Sequence, residues 1–259
     1  MRADAPYIPE ADANRRPYLP LSSGMPATAT QKSFAKPRGA AHPRTDPQGK
    51  EEAYLIQVLG ASFNDLATAE ALESKYGDAL AHYREAAQWD PQIPGLQRNL
   101  GLAVYYAGQP AEAIRLLSNT IAQDPGDSHA RAVLGLAHFS FGKFAKTVQT
   151  ITPIAEQALQ DPELGLAWAT SLDQMGNKRA ATRALENLEA SGKLLGAIEQ
   201  FERTVQAQPS NLSYHLGLEE AYRKVGRVAD ADQQHAICES LKSSDTGFRT
   251  SIRRKNPDH

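Results

Sequence analysis

From Glu51 onward apolar residues return every three or four positions, and Tyr54, Leu55, Val58, Leu59, Phe63 and Leu66 follow the spacing of a helix. The pattern predicts a helix unbroken to about Glu73. Its start is marked by Thr45 or Asp46 before Pro47, because proline fits the first helical turn and the side chain before it can cap. Beyond it the pattern stays helical in shorter segments, each broken at a glycine or at an Asp-Pro pair. Leu100-Gly101 is followed by Gly108, Ala113, Leu117 and Asp124-Pro125. Shifted by 34 residues, Leu134-Gly135, Gly142 and Thr147 take the same places, and shifted back, Leu66, Ala67, Ala79, Tyr83 and Pro91 do. A fixed period of this length, filled by two helical segments, predicts antiparallel helix pairs stacked in a linear array.

Packing explains the small residues. The two helices of a pair, A and B, approach closely only where side chains are small, and Ala67, Gly101, Gly135 and Ala169 supply this on A, with Ala79, Ala113 and Ala181 on B. Leu66, Leu100, Leu134 and Trp168 on A, and Tyr83, Leu117, Ile151 and Leu185 on B, fill the gaps. Each is worth about 1.5 to 3 kcal/mol when buried. Gly108, Gly142 and Gly176 end the A helices and Asp90-Pro91, Asp124-Pro125 and Asp161-Pro162 end the B helices. Two places depart from the pattern. Pro153 lies inside a B helix and should kink it. Between Gly176 and Gly192 the register jumps by 16 residues, so one A helix is missing, and the helix of residues 178–191 is expected to pack against both neighbours or to form a three-helix step.

These residues resemble the tetratricopeptide repeat (TPR), W-x2-L-G-x2-Y…A-x3-F…P, over about three quarters of the chain, as in bacterial TPR proteins. The resemblance implies an all-α solenoid, a superhelix of antiparallel helix pairs, over residues 49–243. Units are expected near 60–93, 94–127, 128–161 and 162–191, then an unpaired helix at 193–207 and a closing unit at 212–242. Residues 1–48, with half of the 16 prolines, and the basic tail 244–259 read as disordered.

Composition narrows the function by exclusion. A formal net charge of -2 suggests neither nucleic acid nor an anionic membrane as partner. One cysteine, Cys238, excludes an intrachain disulfide and a thiolate metal cluster, and its slot suits a buried core thiol. His82, His129, His138, His215 and His235 form no metal-ligand or catalytic motif, and no glycine-rich phosphate loop precedes a helix. The reading is therefore a non-enzyme without metal or cofactor. No apolar run reaches the ~20 residues needed to span a bilayer, and the first residues do not form a signal peptide. The cytoplasm is the default compartment, with export implied only if the true start lies elsewhere.

The resemblance also implies a site. In TPR proteins the A helices line a concave groove, and the corresponding slots here hold Arg98, Leu102, Tyr105 and Tyr106 in the second unit and His129, Leu136 and Phe139 in the third. Polar slots flank them: Asn64 and Thr68 before, Glu163, Thr170, Asp173 and Gln174 after. Aromatic anchors beside an arginine have the composition of an interaction hot spot. The family's carboxylate clamp needs an asparagine after Leu-Gly, but that slot is Thr68, Leu102 and Leu136, which favours a partner with apolar side chains. The expected function is a protein-binding scaffold that takes a peptide or helical segment in the groove. The alternative is an assembly subunit of an envelope or secretion complex, acting by self-association or through the convex face.

Overall fold

In a computed structural model, which describes residues 47–255, the chain is all-helical, with no strand among those residues. In order the helices are α1 (Pro47–Leu72), α2 (Tyr76–Trp89), α3 (Leu96–Tyr106), α4 (Pro110–Gln123), α5 (Ser128–Ser140) and α6 (Phe144–Ile151). A 3-10 turn (Thr152–Ile154) leads to the short α7 (Ala155–Ala158). Then come α8 (Pro162–Gln174), α9 (Lys178–Ala190), α10 (Leu194–Ala207), α11 (Leu212–Lys224) and α12 (Val228–Lys255). The chain divides within α5 into two compact units, one through Val133 and one from Leu134. The expected disorder of residues 1–48 lies, up to residue 46, outside the described residues, and Pro47 already opens α1.

In the first unit α1 packs on α2 and α3 on α4. Gly101 shows why small residues recur: a Cβ there would stand 2.6 Å from Leu117 Cδ2, below any normal carbon contact. The turn between A and B needs a left-handed residue. Gly108 provides it at φ +81°, but 34 positions earlier Ser74 is held at φ +61° in the same role.

The second unit departs from a regular stack. Pro153 ends α6 after eight residues and replaces one continuous B helix by the 3-10 turn and α7. Asp161 does not close that helix. It opens α8, where its carboxylate accepts the Leu164 N–H at 2.7 Å as an N-cap.

The closest approach of α8 is also displaced by one turn from the expected Ala169. Gly165 faces Leu188, and a Cβ there would lie 2.8 Å from Leu188 Cδ2. The triplet Leu-Gly-Leu at 100–102, 134–136, 164–166 and 216–218 carried this register, and spacing measured from the turn glycines obscured it.

The helix expected to bridge the register jump is α9, and the structure assigns that role to α8. Helix α8 packs against α6, α9, α10 and α11, whereas α9 touches α10 only lightly. Helix α10 thus lies against α8 and α11. The C-terminal expectation is corrected as well: residues 244–255 are helical, continuing α12, because no proline interrupts it before Pro257.

Candidate functional site

Helix α3 buries Leu96 and Leu100 on one side and Leu102 on another, which leaves few of its side chains at the surface. Arg98 reaches Asp127 with Nη1 3.4 Å from Oδ2, and Asp127 also accepts the Ala130 N–H as an N-cap of α5. The guanidinium is thereby held against the unit with 22% of its side chain exposed. Tyr105 and Tyr106, at the end of α3, are half-buried. The ring of Tyr106 stacks on Tyr76 of α2 at 4.9 Å and meets Tyr105 edge-on at 5.2 Å. His129 is half-buried at the start of α5. The first unit therefore presents a tyrosine cluster at one end of α3 and an ion-paired arginine on its first turn.

Three of the expected groove residues do not reach solvent. Leu102 and Phe139 are 0% exposed and Leu136 is 1% exposed, so none can meet a partner directly. For Phe139 the cause is visible. Phe201 of α10 lies 5.7 Å away and Tyr214 of α11 meets it edge-on at 5.3 Å, with Phe144 beyond at 6.1 Å. Asn211 secures this arrangement by donating from Nδ2 to the Ser140 carbonyl at 3.0 Å. Helices α10 and α11 thus cover the Phe139 slot that the resemblance reserved for a partner. Phe201 was legible as a packing residue, but nothing local in the sequence says that its partner is Phe139.

Three of the six flanking polar slots are buried as well, while Gln174 is exposed. Asn64, Glu163 and Thr170 are buried; Asn64 Oδ1 finds no hydrogen-bond partner, and Thr170 Oγ1 makes no well-formed one. Glu220 of α11 lies beside Thr170 and Asp173, and Asp173 holds Lys178 at 3.0 Å. Both Glu220 oxygens are buried without a well-formed hydrogen bond. Burial first, and the neighbouring Asp173 carboxylate second, raise its pKa to about 8. The carboxyl is therefore a protonated core group at neutral pH.

His138, His215 and Cys238 fill structural roles. Burial, then Lys146 and Lys143, lower His138 to about 4, so its ring is neutral. His215 is fixed by Gln234 at 2.6 Å and the Pro209 carbonyl at 2.9 Å. Burial raises the Cys238 thiol to about 11, which keeps it protonated and poorly nucleophilic. Among the described residues no three His, Cys, Asp or Glu side chains come together as metal ligands, and no helix is long and apolar enough to cross a membrane.

Residues 104–169 match the tetratricopeptide repeat family model. No curated protein matches the chain significantly. Among solved structures, MamA of AMB-1 aligns with 71% of this chain and 99% of its own at 18% identity and a TM-score of 0.43. MamA of Desulfovibrio magneticus RS-1 aligns with 75% and 97% at 15% identity and a TM-score of 0.41.

Proposed function

We propose that this chain, a tetratricopeptide-repeat protein, is a non-enzymatic scaffold that binds a peptide or helical segment of a protein partner on its first unit, through Arg98, Tyr105, Tyr106 and His129. The observation that carries this reading is the tyrosine cluster. Tyr76, Tyr105 and Tyr106 keep part of their rings at the surface while the aliphatic face of α3 is buried beneath them. Tyrosine offers a large, rigid contact with a polar tip, and side chains of this kind dominate interaction hot spots. Arg98, oriented by Asp127, adds a charge whose position is fixed before binding. Leu102, Leu136 and Phe139 are buried and are left out of the proposed surface.

Affinity capture from the source cells, with wild type compared against a Tyr105→Ala, Tyr106→Ala variant, tests the reading. Helicity and melting are followed in parallel, and Tyr105→Phe serves as the conservative control. One specific protein should be lost from the alanine variant, with its measured affinity falling about 30-fold or more, as for a hot-spot truncation of about 2 kcal/mol. Retention of the same proteins by a folded variant overturns the site.

A second reading, self-association, is favoured by α1, where Leu55, Leu59 and Leu66 are exposed at 53%, 37% and 45% and recur at helical spacing. A mass that rises with concentration, and that Leu59→Glu returns to the monomer, supports it over the peptide scaffold.

A further inference from the structure

The second unit contains a cleft of about 360 Å³ that the tyrosine-cluster reading does not use. Its apolar lining comes from Leu159, Trp168 and Ala184, and its polar lining from Arg179, Arg183 and Asn187 of α9. Two irregularities of the fold accompany it. The B helix that precedes α8 is broken at Pro153, and Leu159 at the cleft follows the short α7 that replaces it. Helix α10 packs on α8 and α11, so α9 has no full helical neighbour on the side of the register jump.

The cleft carries two cations on its α9 side. Arg84, Arg98, Arg203, Arg223 and Arg227 each pair with a carboxylate. Arg179 and Arg183, like Arg115 and Arg131, pair with no carboxylate among the described residues, although Glu186 lies on the same helix; what sets them apart is that both line one apolar cleft. Placed four residues apart, they stand one turn apart on one face and can share a single acidic group. Beside them the Trp168 indole N–H is buried without an acceptor. Guanidinium groups next to an apolar hollow large enough for one or two side chains are complementary to a ligand that offers both a carboxylate and a large apolar group.

We propose that this cleft is a second binding site, for a segment of another protein that carries an Asp or Glu side chain within a few residues of an aromatic or branched aliphatic one. The apolar side chain enters against Trp168 and Leu159, and the carboxylate closes the charge of Arg179 and Arg183. Two guanidinium groups alone make no groove along a nucleic-acid backbone, which would call for a longer basic track.

The test is selection of a random peptide library displayed on phage against the full chain, with fluorescence anisotropy of the selected peptides. The chain has two tryptophans, so in a Trp89→Phe background the emission reports Trp168 alone. Selected peptides should pair an acidic with a large apolar residue, shift that emission, and weaken as salt rises. They should lose at least about tenfold in affinity to an Arg179→Glu, Arg183→Glu variant. They should bind the Tyr105→Ala, Tyr106→Ala variant unchanged, which separates this site from the tyrosine cluster. Both arginines are exposed, so the charge-reversed protein should keep its helicity, and Arg179→Gln, Arg183→Gln provides a milder variant. The proposal is overturned if no peptide is enriched, if the enriched peptides lack acidic residues, or if charge reversal leaves their affinity intact. A concentration-dependent mass that charge reversal abolishes would assign the cleft to a second copy of the chain and overturn it equally.

Discussion

Replacing Glu220 by glutamine tests whether a protonated carboxyl sits in the core of the second unit. In the unfolded chain this group ionises near 4.5, and in the folded chain near 8. The folded state therefore binds the proton more tightly. The stability contributed by the proton is fully present below about pH 4.5 and is lost progressively as pH rises through about 8. At about 1.4 kcal/mol for each tenfold change in proton concentration, keeping the group neutral at pH 7 costs on the order of 3 kcal/mol. Glutamine has nearly the same shape, remains neutral at every pH and can donate to Asp173, so Glu220→Gln removes this cost. Urea denaturation followed by circular dichroism, at several pH values between about 4.5 and 8.5, is the assay. The two proteins should have similar stability at the acidic end. The variant should become the more stable by on the order of 3 kcal/mol at pH 7, with the difference levelling off above about pH 8. A difference that stays constant across the range refutes the reasoning and places an ionised Glu220 in contact with water.

Two further expectations concern packing and backbone. Ser74→Gly relieves a left-handed residue and should raise stability by about 1 kcal/mol, seen as a higher melting temperature; a fall would show that the serine side chain holds the turn. Phe139→Ala should destabilise by about 3 to 5 kcal/mol, read from urea denaturation. Phe139→Leu should fold at a cost of about 1 kcal/mol and capture the same partner as wild type, and loss of capture by that folded variant would return Phe139 to the partner site.

The sequence made the helices legible because their signals are local. Gly101 against Leu117, the kink at Pro153 and the turn at Gly108 each depend on residues within one repeat. The candidate site was harder because burial there depends on distant segments. A slot rule inferred from regular arrays assumes that the next A helix lies beside the last and leaves the groove open. The 16-residue jump at Gly192 removes that assumption for the second unit, and Phe201 and Tyr214 then cover Phe139. Asp161 shows the same limit on a smaller scale, since an Asp-Pro pair can close one helix or cap the next and only the geometry distinguishes the two. The arginines of α9 are two cations at helical spacing, but Glu186 stands three residues beyond Arg183 in the sequence, and only the geometry shows that it does not pair with it.

The hydrogen bond from Asn211 to Ser140 joins residues 71 positions apart in a kind of protein where contacts ordinarily stay within one period and its neighbour. A regular array can fray from its end, each repeat leaving without disturbing those behind it. Here the departure of α11 would strip the cover from Phe139 and leave Ser140 without its donor. The second unit therefore opens as one block, and amide exchange along α5 beyond Leu134 should track that along α11 rather than run ahead of or behind it. The same closure lengthens the loops that must form before the aromatic contacts are made, so this unit should fold more slowly than a regular repeat array of equal length.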